Sequence, residues 1–376
     1  MNSGIKKILV IGGGFAGMTA ALQLSRQGFE VDLVEIDAGW RSYGAGISLH
    51  GSTLRVIKQL GLIDQFMQDG FASDGVELRG PNDAVLVTIP TPRVAGPDIP
   101  GGGAILRPAL AKLLSQAVRA SSTHIRLGVT FTDISRDEDG ATVTFNDGSS
   151  SRYDLVIGAD GLYSAVRAKV FPEAPKPRFI GQSVWRAVLP RPEGIDTVTM
   201  WMGPKLKVGV NRVTEDLVYL FLTEDRATND YVPPETFVET LRSLLERFPS
   251  PTIRKIASEL SSEHQIVYRP LEQMLLPRPW HRDRIALIGD AVHATTPHLA
   301  AGACIGIEDA MVLAEELVRG NDVQSALGAF EERRWERCRM VVENSGRLAD
   351  IEMHDGSREE HAAIMQQSMK SLAQAI

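Results

Sequence analysis

The residues best spaced for chemistry are three glycines near the start of the chain, Gly12, Gly14 and Gly17, which form the pattern G-x-G-x-x-G. An aliphatic run before them predicts a buried strand, and residues 15–27 after them predict a helix. In such a turn the first glycine permits the bend, the second lets a pyrophosphate approach the backbone, and the third lets helix and strand pack closely. The free N–H groups that begin the helix attract phosphate. The segment therefore predicts a dinucleotide site.

Glu35 supports this interpretation, because it ends a second predicted strand within about 20 residues of the glycines. A carboxylate there accepts hydrogen bonds from an adenosine ribose, which indicates FAD or NAD rather than NADP. The alternative is a glycine-rich loop without a ligand. The order of strand, helix, strand and acid favours the dinucleotide.

Composition narrows the class of protein. The chain has 376 residues, of which 43% are hydrophobic and 23% are charged, and its formal net charge is −7. We expect a globular protein of about two domains with no electrostatic preference for nucleic acid or an anionic membrane. Two cysteines, Cys304 and Cys338, predict neither a disulfide framework nor a metal site. The sequence contains neither a long apolar run nor a signal-peptide pattern, so we expect a cytoplasmic, unanchored protein.

Later elements predict where the rest of the chain joins this nucleotide fold. One buried strand ends at Asp160-Gly161 and another, Arg284–Ile288, ends at Gly289-Asp290. Between them, alternating strands from Phe179 to Thr223 predict a separate antiparallel sheet, inserted within the first domain. Shorter patterns predict two strands within Phe71–Ile89, a helix over Ile105–Ala120, a strand over His124–Phe131 and charged amphipathic helix over Val323–Ile376.

Three segments together resemble the class A flavoprotein monooxygenases, the FAD aromatic hydroxylases of the para-hydroxybenzoate hydroxylase type. They are the glycine motif with Glu35, the D-G-like DLVIGADGLYSAVR (Asp154–Arg167) and the G-D-like RIALIGDAVHATTP (Arg284–Pro297). The resemblance covers about residues 5–345 and is nearest to hydroxylases of salicylate, urate and hydroxypyridine carboxylates. It implies an α/β fold with a Rossmann-like FAD-binding domain, an inserted antiparallel-sheet substrate domain and C-terminal helices. The expected segments are FAD-binding domain 1–72, substrate-domain strands and loop 73–103, FAD-binding domain 104–177, substrate domain 178–278, FAD-binding domain 279–322 and C-terminal helices 323–376.

The resemblance also assigns residues to a tightly bound FAD. The ADP half, the ribityl chain and the flavin edge would be held by Gly12, Gly14, Phe15, Ala16, Gly17, Glu35, Arg41, Ser48, Arg107, Phe131, Asp160, Gly161, Asp290, Pro297, Gly302, Ala303 and Cys304. Alternatives stay open: Arg41 as a solvated charge, Asp160-Gly161 as a plain turn, Asp290 as a helix cap and Cys304 as a packing residue. The chain departs from the family pattern at His50-Gly51 and at Ala300-Ala301, which bears on contacts to the flavin ring.

The reaction implied by the resemblance is hydroxylation. NAD(P)H, bound transiently, would reduce FAD, O₂ would form a C4a-hydroperoxide, and its distal oxygen would attack a small phenolic or N-heteroaromatic substrate, with or without a carboxylate. His298 is the candidate base, Lys207 the partner of a substrate carboxylate or oxyanion, and Tyr219 the partner of a hydroxyl. The alternative for His298 is a structural histidine that is hydrogen-bonded to the backbone between the two domains. The alternative for Lys207 and Tyr219 is that they are ordinary exposed polar residues of a strand. We expect a monomer or homodimer.

Two other functions share these motifs. One is an FAD-dependent epoxidase or antibiotic-inactivating hydroxylase. The other is a redox-silent binding protein on the same fold, which the presence of Gly12, Gly14, Glu35 and Asp290 disfavours.

Overall fold

The computed structural model describes residues 4–203 and 205–376. The strands are β1 (Lys7–Ile11), β2 (Glu30–Glu35), β3 (Gly46–His50), β4 (Gly70–Ser73), β5 (Val76–Arg79), β6 (Val85–Ile89), β7 (Gly102–Leu106), β8 (His124–Leu127), β9 (Phe131–Arg136), β10 (Ala141–Phe145), β11 (Ser150–Tyr153), β12 (Leu155–Gly158), β13 (Arg178–Pro190), β14 (Val198–Gly203), β15 (Leu206–Arg212), β16 (Leu217–Asp225), β17 (Ile266–Leu275), β18 (His281–Arg282) and β19 (Ile285–Leu287). The α-helices are α1 (Phe15–Arg26), α2 (Gly51–Gln59), α3 (Ile63–Asp69), α4 (Arg107–Arg119), α5 (Ala165–Val170), α6 (Phe237–Glu246), α7 (Pro251–Glu259), α8 (Asp290–His293), α9 (Gly302–Arg319), α10 (Val323–Met353) and α11 (Arg358–Ala373), with 3₁₀ turns at Pro234–Thr236 and Pro297–Leu299.

A six-stranded sheet in the order β18-β19-β12-β1-β2-β8 forms the nucleotide half of the molecule. Its strands run parallel except β18, which is antiparallel to β19. The central strand β1 is fully buried at Ile8, Leu9 and Val10, because helices cover both faces of such a sheet. The carboxyl ends of β1, β12 and β19 therefore lie side by side and present Gly12, Asp160 and Gly289 at one edge.

A seven-stranded sheet in the order β17-β13-β16-β15-β14-β5-β6 forms the other half. One of its faces buries Trp185 and Leu220 against α6 and α7, which contribute Leu241 and Ile253. The opposite face carries the alternate residues of the same strands. The antiparallel register pairs Asn211 with Tyr219 and Lys207 with Thr223, so these side chains share that face, as the predicted alternation requires.

The small sheet β3-β7-β4 lies where the two halves meet. Ser48 of β3 accepts a hydrogen bond from the Asn211 amide of the large sheet. Beside it, Gly46 lies so close to the Tyr219 ring that a Cβ would come within 2.4 Å of it. The polar face of the large sheet therefore packs against the nucleotide half of the molecule.

Three local predictions were wrong. Residues 71–89 contain three strands rather than two, because Gly75, at φ +86°, turns the chain between β4 and β5. The strand predicted to reach Phe131 ends at Leu127, since Gly128, at φ +72°, breaks it, and Phe131 begins β9. The helix predicted from Ile105 begins at Arg107, because Ile105 pairs with Ile47 and Gly70 in the small sheet.

The C-terminal segment forms two helices, α10 and α11, as its charge pattern predicts. None of the described helices combines the length and the apolar character needed to cross a lipid bilayer. The domain boundaries given above stay a proposal. The observed α/β architecture with its large, mostly antiparallel second sheet agrees with the predicted fold class.

Candidate active site

The glycine turn after β1 is shaped by contact with the neighbouring strand. Gly12 has φ +107°, and a Cβ there would lie 2.5 Å from the carbonyl oxygen of Ala159. A Cβ on Gly17 would lie 2.0 Å from the Gly12 carbonyl oxygen, so α1 is packed directly on the turn. Around Gly14, by contrast, a Cβ would meet no described heavy atom within 4 Å. Two glycines are thus needed by the fold, and the third leaves an open surface.

Glu35 closes the same loop from the end of β2. Its carboxylate accepts one hydrogen bond from the Gly13 N–H at 2.6 Å and another from the Asp37 N–H at 2.8 Å. The indole of Trp40, a residue with φ +47°, donates to the Gly13 carbonyl oxygen at 2.8 Å. Glu35 therefore fixes the loop in addition to any hydrogen bond that it offers a ribose.

Asp290 begins α8 directly after Gly289, which has φ +64°. A Cβ on Gly289 would lie 2.9 Å from Ala16 of α1 and 3.9 Å from Gly306 of α9. Small residues therefore let two helices converge behind the Asp290 carboxyl. The Asp290 side chain is exposed, but the protein atoms packed around it reduce its solvation and raise its pKa, while His293 and Arg107 oppose the rise.

A buried group of charges holds the Asp290 loop from beneath. The Asp309 carboxylate accepts a hydrogen bond from Gly289 N–H at 3.0 Å, lies 2.5 Å from His293 Nε2 and accepts from Arg334 Nε at 2.8 Å. Burial lowers the pKa of His293, but Asp309 and then Cys338 raise it well above its ordinary value. Burial raises the pKa of Asp309, yet His293 and Arg334 bring it down to about 2.

This group also brings His293, Asp309 and Cys338 close enough together to suggest metal ligands. The Arg334 guanidinium lies among them and contributes a permanent positive charge, which opposes a second cation. We interpret the group as a structural support for the Asp290 loop.

The D-G segment is tied to this loop through Arg167. Its guanidinium donates to the Ala291 carbonyl oxygen at 2.9 Å and to the Leu162 carbonyl oxygen at 2.7 Å. Asp160 accepts from the Ser164 hydroxyl at 2.5 Å and from Val166 N–H at 3.0 Å, so it caps α5. Gly161 has φ +82°, and the space around it is open. Asp160 and Gly161 are therefore at the predicted edge, with the Asp160 side chain engaged locally.

Arg107 and Arg41 have different surroundings. The Arg107 guanidinium lies over the Phe15 ring, 5.0 Å from its centroid, beside the glycine turn. Burial lowers the pKa of Arg107, and Arg186 lowers it further, while Asp290 opposes both. Arg41 is exposed and makes a two-pronged contact with Asp37, which corresponds to the solvated alternative.

The turn Pro297–Leu299 leads into α9. Ala300 has φ +47°, and no described side chain caps the helix at Gly302 and Ala303. Its first N–H groups are therefore free to face an anion or a developing negative charge. Cys304 is buried and contacts Ser52 and Glu308, as a packing residue would.

His50 occupies the position where the chain departs from the family pattern. Its Nε2 lies 2.6 Å from the Leu299 carbonyl oxygen, so the departure joins β3 to the turn before α9. Of the remaining predicted residues, Ser48 contacts the large sheet as described, and Phe131 packs at the edge of the main core.

The three predicted catalytic residues lie on or beside the polar face of the large sheet. The Tyr219 hydroxyl accepts a hydrogen bond from Arg186 Nε at 3.0 Å. Lys207 Nζ lies 2.6 Å and 2.9 Å from the two carboxylate oxygens of Glu352 in α10. His298 Nδ1 lies 3.0 Å from the Thr296 hydroxyl, and its Nε2 lies 3.5 Å from Glu352. Burial lowers the pKa of His298, and the positive charge of Lys207 lowers it further.

These features fit FAD. Its pyrophosphate would lie against the open side of Gly14, where the uncapped start of α1 supplies N–H donors. Arg107 lies beside Phe15 of that turn, and the Asp290 charge acts on it. The uncapped start of α9 would meet the flavin ring.

Comparison with known proteins decides the family. The model of the FAD binding domain family matches residues 6–345. The chain belongs to this FAD-binding family. The Aurachin C monooxygenase/isomerase of Stigmatella aurantiaca is 30% identical over 360 residues, 93% of this chain and 90% of that protein. The 2-heptyl-3-hydroxy-4(1H)-quinolone synthase of Pseudomonas aeruginosa is 30% identical over 350 residues, 92% of this chain and 90% of that protein. The structure of Klebsiella pneumoniae HpxO with FAD and uric acid is 26% identical, with a TM-score of 0.81 over 99% of this chain and 93% of that one.

For this FAD-binding protein, the comparisons confirm the predicted cofactor, the para-hydroxybenzoate hydroxylase type of fold and the class of FAD-dependent monooxygenases. The individual site residues stay a prediction. Sequence reasoning missed Trp40, Arg167, Arg334 and Glu352, whose partners are remote in the sequence or are backbone atoms. Among these four residues, only Arg167 is marked in the sequence, because it ends the D-G segment that carries the family resemblance.

Proposed function

We propose that the protein hydroxylates a small phenolic or N-heteroaromatic ring with NAD(P)H and O₂. In the balanced reaction, substrate, O₂, NAD(P)H and a proton give hydroxylated substrate, water and NAD(P)⁺. The observation that carries this proposal is that the polar face of the large sheet meets the turn leading into α9, through Lys207, Glu352 and His298. The names of two relatives, a quinolone synthase and a protein solved with uric acid, support an N-heteroaromatic ring.

FAD, when bound, supplies the electron transfer and the activation of O₂ that side chains cannot provide. The chain must orient the ring, remove a proton from its hydroxyl and exclude water. We assign the proton to His298 Nε2, which is buried 3.5 Å from the Glu352 carboxylate and makes no hydrogen bond with a described residue. Its lowered pKa keeps the imidazole neutral near pH 7, so it can accept a proton. Tyr219 would position the ring hydroxyl.

The first experiment is a substrate screen with the purified FAD-loaded protein. Oxidation of NADH and of NADPH is followed with phenols, hydroxypyridines and hydroxyquinolines, and product and H₂O₂ are measured separately. We expect at least one ring to accelerate oxidation and to appear as hydroxylated product. Oxidation that no ring accelerates, with H₂O₂ as the sole product, would contradict the proposal. The same screen, extended to alkenes and antibiotics, tests the epoxidase and antibiotic-inactivating alternatives.

We also propose a cytoplasmic location, which the two buried free cysteines support. A monomer or homodimer is proposed as well. Fractionation of cells and light scattering after size exclusion measure these two properties directly.

A further inference from the structure

On the substrate side of the proposed active site, Lys207 already has a carboxylate partner from the protein itself, Glu352. The Glu352 carboxylate holds the Lys207 ammonium with both oxygens, at 2.6 Å and 2.9 Å, and each side chain is only 11% exposed. Burial raises the pKa of Glu352, but Lys207, His298 and His361 lower it well below the usual range. The pair is therefore a closed ion pair rather than a free cation.

The pair lies at the junction of the elements that enclose the site. Lys207 belongs to the polar face of the large sheet, and Glu352 reaches it from the last turn of α10. His298, on the turn before α9, approaches Glu352 from the nucleotide side at 3.5 Å. His361 of α11 approaches it from the outside at 3.2 Å.

The rest of this face is suited to an uncharged ring. The Phe221 ring lies over Gly209, where a Cβ would come within 2.2 Å of it. The Asn211 amide donates to Ser48, and its Oδ1 is buried without a partner among the described residues. An amide oxygen of this kind can accept a hydrogen bond from an N–H or O–H group of a substrate ring.

Two further cations, Arg186 and Arg107, lie at the Tyr219 end of this face and not beside Lys207. Arg186 donates to Tyr219, and its charge acts on Arg107, which itself lies beside Phe15 of the glycine turn and near Asp290. A substrate carboxylate at Lys207 would have to displace Glu352 or lie next to it as a like charge.

We propose that Glu352 is a specificity-determining residue that fills the carboxylate position at Lys207, so that the enzyme selects uncharged phenolic or N-heteroaromatic substrates over their carboxylated analogues. This inference rests on the proposed function and narrows its substrate class. It assigns to Lys207 an internal partner in place of the substrate anion predicted from the sequence.

The test compares a neutral and an anionic ring of the same shape, 4-hydroxybenzamide and 4-hydroxybenzoate. Binding to the FAD-loaded enzyme is measured by the change in flavin absorbance, without NAD(P)H. We expect the wild-type enzyme to bind the amide at least about tenfold more tightly than the acid, because the acid meets an uncompensated like charge. In Glu352→Gln, the acid should gain at least about tenfold in affinity, while the amide changes by less than about threefold.

Two further variants separate charge from structure. Glu343→Gln removes an exposed carboxylate that pairs with Arg339 on the same helix, and it should leave both affinities unchanged. The double variant Lys207→Met with Glu352→Gln removes both charges and should show no gain for the acid. If Glu352→Gln does not retain FAD, the wild-type comparison of amide and acid decides the question.

Wild-type enzyme that binds the acid as tightly as the amide would overturn the inference, as would Glu352→Gln without a gain for the acid. The proposed function fails in a different way, when no ring of either charge is hydroxylated in the substrate screen. An enzyme that hydroxylates benzoates in preference to benzamides would keep the function and refute only the role of Glu352.

Discussion

Substitution of Gly14 by alanine tests where FAD binds, because the fold has room for a methyl group at this position whereas a bound pyrophosphate would contact it. Gly14 has φ −73° and ψ −177°, a conformation open to alanine. A Cβ there would meet no described heavy atom within 4 Å. The cost to the apoprotein is then limited to the poorer N-cap preference of alanine, about 1 kcal/mol.

The cost to FAD binding should be larger. A methyl group on the open side of Gly14 would keep the pyrophosphate from the N–H groups at the start of α1. Loss of one hydrogen bond to a charged group costs about 1.5–3 kcal/mol, which is about a 10- to 150-fold increase in the Kd for FAD. Gly17→Ala should behave differently, since its Cβ would lie 2.0 Å from the Gly12 carbonyl oxygen and must displace α1.

The assay is titration of apoprotein with FAD, followed by flavin fluorescence, together with the Tm of each apoprotein. Gly14→Ala should weaken FAD binding with little change in apoprotein Tm, whereas Gly17→Ala should lower the Tm as well. Gly328→Ala, in α10 with open space around it, is the matched control and should leave the Kd unchanged. A Gly14→Ala protein with the wild-type Kd would refute the placement of the pyrophosphate.

Three other substitutions test the site. Asp290→Ala should abolish the flavin absorbance of the purified protein while its far-ultraviolet circular dichroism is unchanged; retained flavin would exclude a contact to FAD. Asp309→Asn removes the buried counter-charge of His293 and one of the two carboxylates that pair with Arg334, and it should cost about 3–5 kcal/mol in urea unfolding. In the wild type, the contribution of Asp309 to the free energy of unfolding is present above pH 4 and is lost as the pH falls through about 2. The contribution of His293 is present below about pH 6.5 and is lost as the pH rises through its raised pKa. A free energy of unfolding that does not change with pH would contradict both expectations. His298→Ala should retain flavin yet divert NAD(P)H oxidation to H₂O₂, and full coupling would remove His298 from the role of base.

The parts of the fold that follow local rules could be predicted from the sequence. The strand, glycine turn and helix of residues 7–26 depend on local periodicity and on backbone contacts that only glycine allows, and both signals are present in neighbouring residues. The alternation in β15 and β16 likewise determines which side chains share a face. The errors at Ile105 and Phe131 arose where pairing with a distant strand, or one glycine with positive φ, overrode the local pattern.

The support of the site could not be predicted in this way. Asp309 and Glu352 look in the sequence like ordinary helical acids, and their types do not distinguish them from exposed partners such as Glu343. What distinguishes them is burial beside a cation from a distant element, Arg334 in one case and Lys207 in the other. Such pairs are defined by the tertiary fold, because a desolvated charge depends on counter-charges that only the folded chain brings beside it.

The helix α10 connects the two kinds of support. Arg334 lies near its middle and neutralises Asp309 beneath the Asp290 loop, while Glu352 lies in its last turn and neutralises Lys207 on the substrate side. The intervening stretch of continuous helix spans roughly 27 Å at 1.5 Å per residue. A continuous helix holds its two ends at a fixed separation, whereas a loop would not. The distance between the Asp290 loop, proposed to contact FAD, and the substrate-side carboxylate is therefore set by α10, which makes this helix part of the proposed active-site framework.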